Sequence, residues 1–255
     1  MATKKKTKKR KAKKRARRAL FLSLLVCAGL VVGVLFALAN TFCKVAAVSY
    51  EGQLANYDMD SILQTADIAV GDNIFSFKKE DIETRLQNEY PLLDEFKVKR
   101  ILPDRVSITA APAKEQYVLK NSGMYYVISS SDRLMYRAGE SDLPTGVPVV
   151  EGVSFTVKKA GDTVAFETEE IRKSFEGLLS EVSTYISGVT YLNLSSPDEI
   201  TFHVGDKYVV NLGGDYQIDY KLQLVKSVMD SQNTDVRTYL DASIEGKVIS
   251  GPYSE

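Results

Sequence analysis

The chain has one histidine, two cysteines and no tryptophan among its 255 residues. Both cysteines, Cys27 and Cys43, lie in or beside an uncharged stretch near the N-terminus, so the residues after position 43 contain none. This excludes a disulfide framework from that part of the chain, whose domains must be held together by apolar cores. A single histidine also excludes a metal site built from several histidines.

Residues suited to catalysis are equally scarce. His203 alternates with apolar residues in a predicted strand, which favours a structural role over membership of a Ser-His-Asp triad. No Gly-x-Ser-x-Gly sequence is present. The acid pairs Asp58/Asp60 and Glu169/Glu170 stand at predicted helix starts, where acidic side chains stabilise the helix dipole. We therefore expect no enzyme activity, with no catalytic residues, no metal site and no cofactor.

Acidic residues are absent from the first 43 positions, which hold twelve lysines and arginines. All twelve precede residue 19, and residues 19–43 carry no charge. As a helix at about 1.5 Å per residue this stretch is roughly 36 Å long, enough to cross an apolar layer of about 30 Å. We predict a single transmembrane helix at 19–43, with residues 1–18 as a basic cytoplasmic tail under the positive-inside rule.

Two alternatives apply to this N-terminal region. Ala37-Leu38-Ala39 resembles a signal-peptidase site, but apolar regions of signal peptides run about 7–15 residues, and this stretch is longer. Residues 4–18 could form a nucleic-acid patch, yet their position directly before the span favours attraction to an anionic leaflet, and we expect no specific nucleic-acid partner. With or without cleavage, the residues after 43, with 21 basic and 33 acidic side chains, are expected to be exported.

Residues 45–112 have the pattern of a compact β-α-α-β-β unit. A β-prone run opens it, and Asp58 can then cap a first helix. A second helix has apolar residues at four-residue spacing and ends at Pro91. These apolar residues are Ile82, Leu86 and Tyr90. Apolar and polar residues then alternate over 96–110 around a turn, which predicts a hairpin packed on the two helices.

This order, directly after a predicted span and a basic tail, resembles the POTRA domain of the FtsQ/DivIB family of bacterial cell-division proteins. Four short stretches carry the resemblance. They are the first strand ending at Gly52, the turn Val70-Gly71-Asp72-Asn73-Ile74-Phe75, the helix end Glu89-Tyr90-Pro91, and the hairpin Val98-Lys99-Arg100-Ile101-Leu102-Pro103-Asp104. The resemblance implies a POTRA domain over residues 44–112.

Residues 113–255 are predicted to form a second, mixed β domain with two packed helices, which makes the whole an α+β fold. Thr168 is expected to cap the first helix, and Ile218 begins the apolar stripe of the second. Strands are predicted over 117–119, 123–129, 133–136, 189–194, 200–204, 208–212, 237–242 and 247–250. Two segments resemble parts of the family, a connection ending in Val149-Val150-Glu151-Gly152 and a late strand at Tyr239-Leu240-Asp241-Ala242.

The resemblance implies a non-enzymatic component of the divisome, located at the division septum. It would link early division proteins to septal peptidoglycan synthesis by binding membrane proteins of the FtsB/DivIC and FtsL types, with septal synthases as further partners. The residues leave two alternatives open. One is a single-span envelope sensor or regulator that binds a cell-wall ligand, and the other is an exported enzyme whose chemistry has no recognisable motif.

The resemblance also implies that a partner adds a strand to the C-terminal edge of the second domain. The last predicted hairpin leaves its outer strand uncovered, and such an edge accepts β-addition. The alternative is an ordinary closing strand, with Lys247 as a charge that protects the edge. The implied partner-binding residues are Ser243, Ile244, Lys247, Val248, Ile249 and Tyr253.

Overall fold

The computed structural model of the protein describes residues 21, 23–33, 42–232 and 236–253. Residues 23–33 are helical, whereas the other positions of the predicted span, apart from 21, 42 and 43, lie outside the described residues. The basic tail at 1–18 lies outside them as well. Among the described residues, no helix combines the length and the apolar character that a membrane crossing needs.

The chain forms two compact units. The smaller contains the described residues up to Gly52 together with Asp58–Glu83 and Lys97–Thr109. The larger contains Gln53–Tyr57, Thr84–Phe96 and the residues from Ala110 onward. One helix and two strands are therefore divided between the two units.

The elements that follow the N-terminal segment have the predicted β-α-α-β-β order. They are β1 (Ala47–Gly52), α1 (Met59–Ala66), α2 (Lys79–Glu89), β2 (Leu93–Ile101) and β3 (Arg105–Pro112). The three strands form one sheet in the order β1-β3-β2. Asp58 caps α1 as predicted, because its carboxylate accepts a hydrogen bond from the Ser61 amide at 3.1 Å. Helix α2 ends just before Pro91, which lacks the amide that a further helical turn requires.

Apolar positions that the sequence pattern assigned to the interior of the smaller unit are buried. Ile62 on α1 and Val106 and Ile108 on β3 are completely inaccessible to solvent, and Val98 on β2 is nearly so. Leu63 is only half-buried. The alternation along β2 therefore has one face in the core, as a half-buried strand requires. On β3 the polar Ser107, between Val106 and Ile108, is buried as well.

The larger unit is built around a nine-stranded sheet. Its strands are β4 (Glu115–Asn121), β5 (Met124–Ser129), β6 (Leu134–Ala138), β7 (Val149–Glu151), β10 (Val189–Asn193), β11 (Ile200–Val204), β12 (Tyr208–Gly213), β13 (Thr238–Asp241) and β14 (Ile249–Pro252). Their order across the sheet is β14-β13-β12-β11-β10-β7-β4-β5-β6. A separate two-stranded sheet pairs β8 (Phe155–Thr156) with β9 (Ala165–Phe166). The helices are the 3-10 turn Glu140–Asp142, α3 (Glu169–Tyr185) and α4 (Ile218–Ser231).

Strand β7 joins two antiparallel groups of strands into one sheet. It pairs in parallel with β4 on one side and with β10 on the other, so that Val150 lies between Leu119 and Leu192. The sequence pattern assigned this segment to a connection between elements. Three residues after a proline are too short a run for hydrophobic periodicity to identify a strand.

Helices α3 and α4 cover one face of the large sheet. The Thr168 hydroxyl oxygen accepts a hydrogen bond from the Ile171 amide at 3.2 Å and starts α3, as predicted. Phe175 on α3 packs edge-on against Tyr117 of β4, with ring centroids 5.0 Å apart. Leu222 on α4 belongs to the same buried core. The α+β class and the two packed helices thus agree with the prediction.

Candidate functional site: the outer strand of the large sheet

The outermost strand of the large sheet on its C-terminal side is β14. It pairs antiparallel with β13, with Leu240 opposite Ser250 and Asp241 opposite Ile249. No other strand of the described residues pairs with its outer side. The predicted hairpin is therefore present, although β14 begins at Ile249, two residues later than the sequence pattern indicated.

The register identifies the backbone groups that face outward. The Tyr253 amide donates to the Arg237 carbonyl at 3.0 Å, so the backbone amide of Tyr253 points toward the β13 side of the hairpin. Backbone groups of successive residues in a strand point to alternate sides, so Gly251 also faces β13, and Ser250 and Pro252 face outward. Pro252 has no amide. Ser250 is therefore the residue of β14 that presents an amide donor to an added strand.

Side chains alternate between the two faces of β14 in the same way. Ser250 lies on the helix-covered face, because its partner Leu240 is in the core and its hydroxyl accepts a hydrogen bond from the Gln232 side-chain amide at 3.0 Å. Ile249 lies on the opposite face and is 54% exposed. An added strand would therefore meet a polar hydroxyl on one face and an exposed apolar side chain on the other.

The loop between β13 and β14 holds four of the six residues implied by the family resemblance. Ile244 and Lys247 are exposed, and Val248 packs against the core from a half-buried position. Ser243 has a different role. Its amide donates to the Asp241 carboxylate, and its carbonyl accepts a hydrogen bond from the Tyr216 hydroxyl, each at 2.9 Å. We therefore assign Ser243 to shaping the loop.

Gly213, at the end of β12, lies directly against Ser243. Its φ of +65° is in the left-handed region, and a Cβ atom there would lie 2.8 Å from the Ser243 Cβ. Only glycine allows this approach without a shift of one of the two segments. The close packing keeps the start of the β13–β14 loop fixed beside β12.

Lys221 supports the same region from inside, and the sequence analysis did not identify it. Its ammonium group donates to the carbonyls of Leu212 and Gly214 at 2.8 and 2.9 Å and lies 3.5 Å from the centroid of the Tyr216 ring. Burial lowers the pKa of the Lys221 ammonium group. The sequence pattern of an amphipathic helix does not distinguish a lysine that points to solvent from one that points inward and bonds backbone carbonyls.

Tyr253 closes the hairpin on the face opposite the helices. Its ring lies 6.4 Å from that of Tyr239, and the Arg237 guanidinium stacks over it at 4.5 Å. These contacts hold the chain beyond β14 against the sheet. Of the six implied residues, Ile244, Lys247 and Ile249 are thus the exposed ones, whereas Ser243, Val248 and Tyr253 are partly engaged within the unit.

Comparison with protein families bears on the N-terminal part of the described chain. Residues 43–109 match the family described as POTRA domain, FtsQ-type. This segment is an FtsQ-type POTRA domain. The match supports membership of the FtsQ/DivIB family and confirms, over these residues, the resemblance identified from the sequence. No curated protein matches the chain.

One motif in the POTRA domain has the spacing of a serine acyl-transfer site. Ser76 and Lys79 stand in a Ser-x-x-Lys arrangement, which the sequence analysis overlooked. The Ser76 hydroxyl donates to the Asn73 carbonyl at 2.7 Å, and the Asn73 side chain accepts a hydrogen bond from the Phe75 amide at 2.8 Å. Both bonds are typical of a turn, so the motif is explained by local structure.

A cleft of about 750 Å³ lies in the larger unit, along α3 as far as Glu181 and beside the N-terminal end of α4. Its floor is apolar and includes Phe175 and Ile200. The charged residues that line it are Glu170, Lys173, Glu181, Asp215 and Asp219. Four carboxylates against one ammonium group favour a neutral or cationic ligand over an anionic one. None of the six implied partner-binding residues lines this cleft.

The lone histidine leads to a prediction about pH. His203 lies on β11 with its ring 5.1 Å from that of Tyr191, and burial, with a smaller effect of the Arg237 charge, lowers its pKa below the usual 6.5. Because the folded pKa is below the unfolded one, neutral His203 contributes to stability above about pH 6.5, and this contribution is lost as the pH falls toward the folded pKa. A proton NMR titration of the single imidazole should therefore give a pKa below 6.5.

A His203→Gln variant is the control for this titration. It should lose less stability than the parent when the pH falls from about 7 to about 5, because it has no group that titrates there. A measured imidazole pKa at or above 6.5 would contradict the interpretation.

Proposed function

We propose that this protein is a non-enzymatic component of the bacterial cell-division machinery. The observation that carries the proposal is the FtsQ-type POTRA domain at residues 43–109, which indicates a role in cell division. In this role the protein links early division proteins to septal peptidoglycan synthesis by binding FtsB/DivIC-type and FtsL-type membrane proteins. Septal peptidoglycan synthases are further partners of the same assembly.

The proposal includes a single membrane span at 19–43, a cytoplasmic tail at 1–18, a POTRA domain at 44–112 and a C-terminal β domain at 113–255 outside the membrane. Twelve basic residues before an uncharged stretch support this orientation. The described helical part of the stretch, 23–33, presents exposed apolar side chains such as Leu30 and Val32. We expect the protein to lie in the cell membrane at the division septum.

We further propose that the FtsB/DivIC-type partner adds a strand to the outer side of β14. Support comes from the outward Ser250 amide, from the exposed Ile249 side chain next to it in the strand, and from the exposed Ile244 side chain in the loop before β14. Because Pro252 offers no amide, the backbone contribution is confined to a short length of strand. The apolar side chains must therefore supply a substantial part of the affinity, as alternate side chains do in β-addition.

Replacing Ser250 with proline tests this interface. The change removes the outward amide and leaves the bonds to β13 in place, so the fold should be retained while the partner loses one hydrogen bond and keeps an unpaired carbonyl. We expect the affinity of the purified full-length chain for the extracellular segment of the FtsB/DivIC-type partner to fall about tenfold or more. Isothermal titration calorimetry would measure the change.

Ser250→Ala is the matched control, because it removes the hydroxyl that Gln232 bonds but keeps the backbone amide. Its affinity should stay near that of the parent, and melting curves of both variants show whether the sheet is intact. Ile249→Asp is a further variant that changes no backbone group and should also weaken binding. If Ser250→Pro and Ile249→Asp both bind like the parent, the partner does not dock on β14.

The cleft between α3 and α4 favours a second candidate function, a single-span envelope sensor that binds a cell-wall ligand. The two functions differ in the location of the protein. A fluorescent fusion that forms a mid-cell band in dividing cells would support the division role, whereas an even distribution around the membrane would favour the sensor.

A further inference from the structure

The smaller unit exposes apolar side chains around the point where the chain leaves the predicted span. Val70 and Phe42 are the most exposed large apolar residues of the described chain, at 73% and 70%. Three further residues beside the same point are exposed: Phe75 on one turn, Leu102 on the other, and Ile101 at the end of β2. We call these five residues the Val70 patch. Clusters of exposed apolar side chains on a soluble surface mark interaction sites.

Backbone hydrogen bonds place the first of the two turns against the end of the span. The Ile74 amide donates to the Cys43 carbonyl at 2.9 Å. The Val45 amide donates to the Asp72 carbonyl, and the Gly71 amide to the Val45 carbonyl, both at 2.8 Å. Strands bonded in this way lie about 5 Å apart. Val70 and Phe75 are the residues on either side of this hydrogen-bonded segment, so both lie close to residues 43–45.

The turn between β2 and β3 approaches the same segment from another direction. The Ala46 amide donates to the Asp104 carbonyl at 2.7 Å. Leu102, two residues before Asp104, is 60% exposed. Two separate turns thus present apolar side chains around residues 43–46, and Phe42 adds a third from the chain itself.

Basic side chains accompany the patch. Lys44 is exposed, and the Arg100 guanidinium stacks over the rings of Phe75 and Phe77 at 5.8 and 4.8 Å. Arg100 also donates to the Ile74 carbonyl at 2.6 Å, which fixes it beside the turn. The acidic residues here are Asp72 and Asp104, and the Asp72 carboxylate accepts a hydrogen bond from the Ala69 amide. Cations beside aromatic rings are the combination that favours the headgroup region of a membrane.

We propose that the Val70 patch inserts into the outer headgroup region of the membrane and so fixes the orientation of the POTRA domain on the bilayer. The inference rests on the proposed span, because Phe42 lies at its end, and residues 44–46 follow it directly and bring the two turns to the membrane surface. Each apolar side chain that leaves water there is stabilised, and Lys44 and Arg100 meet anionic headgroups. A lipid surface fits better than a protein partner, since the patch surrounds the anchor point itself.

Because the chain has no tryptophan, Phe75→Trp introduces a single fluorescent reporter in the patch. The variant would be reconstituted as the full chain into vesicles of phosphatidylcholine and phosphatidylglycerol. We expect its emission to lie at shorter wavelength than that of tryptophan in water and to be quenched by lipids brominated near the glycerol end of the acyl chain. Val70→Trp is a second reporter in case the first variant does not fold.

Met59→Trp is the matched control, since Met59 is an exposed apolar residue of the same unit outside the patch. Its emission should not be quenched by brominated lipid.

Resistance of the vesicle-bound protein to extraction by alkaline carbonate tests the span on the same sample. Extraction by carbonate would overturn the span and the inference together. Retention in the membrane, with the emission of both Phe75→Trp and Val70→Trp left unquenched, would overturn the inference alone. A blue-shifted but unquenched reporter would indicate burial against protein and would also overturn it.

Discussion

Replacing Gly152 with alanine should lower the free energy of unfolding of the larger unit by about 3–5 kcal/mol. Gly152 follows β7 with a φ of +91°, a conformation that alanine adopts only with strain. A Cβ atom there would lie 2.1 Å from the Ser195 nitrogen and 2.4 Å from the Leu194 carbonyl carbon. Both are backbone atoms, so the clash is relieved only by separating the chain after β7 from the chain after β10. Equilibrium denaturation in urea would measure the loss.

Gly177→Ala is the control for this prediction. Gly177 lies within α3, and a Cβ atom there would meet nothing within 4 Å. Alanine is favoured over glycine in a helix, so this variant should gain about 1 kcal/mol of stability. If both glycine variants were equally stable, the close approach at Gly152 would be wrong.

The local elements of this fold were predictable because their signals lie within a few residues of one another. Asp58 and Thr168 were identified as helix caps, and both side chains accept the expected amide hydrogen bond. Pro91 ends α2 as its missing amide requires. The β-α-α-β-β order of the first five elements was predicted from these signals, and the structure has the same order.

The arrangement of the large sheet could not be read in the same way, because it depends on contacts between distant residues. Parallel pairing of β12 with β13, and of β7 with both β4 and β10, joins segments separated by long stretches of chain. Hydrophobic alternation identifies a strand and its buried face but not its neighbour. The position of β14 at the edge of the sheet was nonetheless expected, since it is joined to β13 by a short hairpin loop.

The candidate interface shows the same division between local and long-range information. The exposed residues Ile244, Lys247 and Ile249 were implied by the family resemblance, and they lie along the outer hairpin. The structural role of Ser243 could not be predicted, because it depends on contacts with residues distant in sequence. These are Gly213 at the end of β12 and Tyr216 in the segment after it. Which residue of β14 offers its amide depends on the register with β13, which no sequence pattern specifies.

Replacing Leu86 with alanine should destabilise the protein by about 2–5 kcal/mol. Leu86 lies at the centre of the apolar stripe of α2 and is completely inaccessible to solvent. Ile82 and Tyr90, one turn before and after it, are buried as well, so the four-residue spacing in the sequence marks the inward face correctly. Truncation to alanine removes three heavy atoms from a packed site and leaves a cavity that the neighbouring side chains fill only in part.

Thr84→Ala is the matched control for Leu86→Ala, because Thr84 lies on the exposed side of the same helix. Alanine has the higher helix propensity, so this variant should be as stable as the parent or slightly more so. Thermal melting of the parent and the two variants, followed by circular dichroism, would make the comparison. Since a ΔΔG of 1 kcal/mol shifts the melting temperature by roughly 2–4 °C in a chain of this size, Leu86→Ala should melt at least about 4 °C below the control. Equal melting temperatures would mean that the apolar stripe of α2 does not stabilise the fold, and the assignment of its buried face would be wrong.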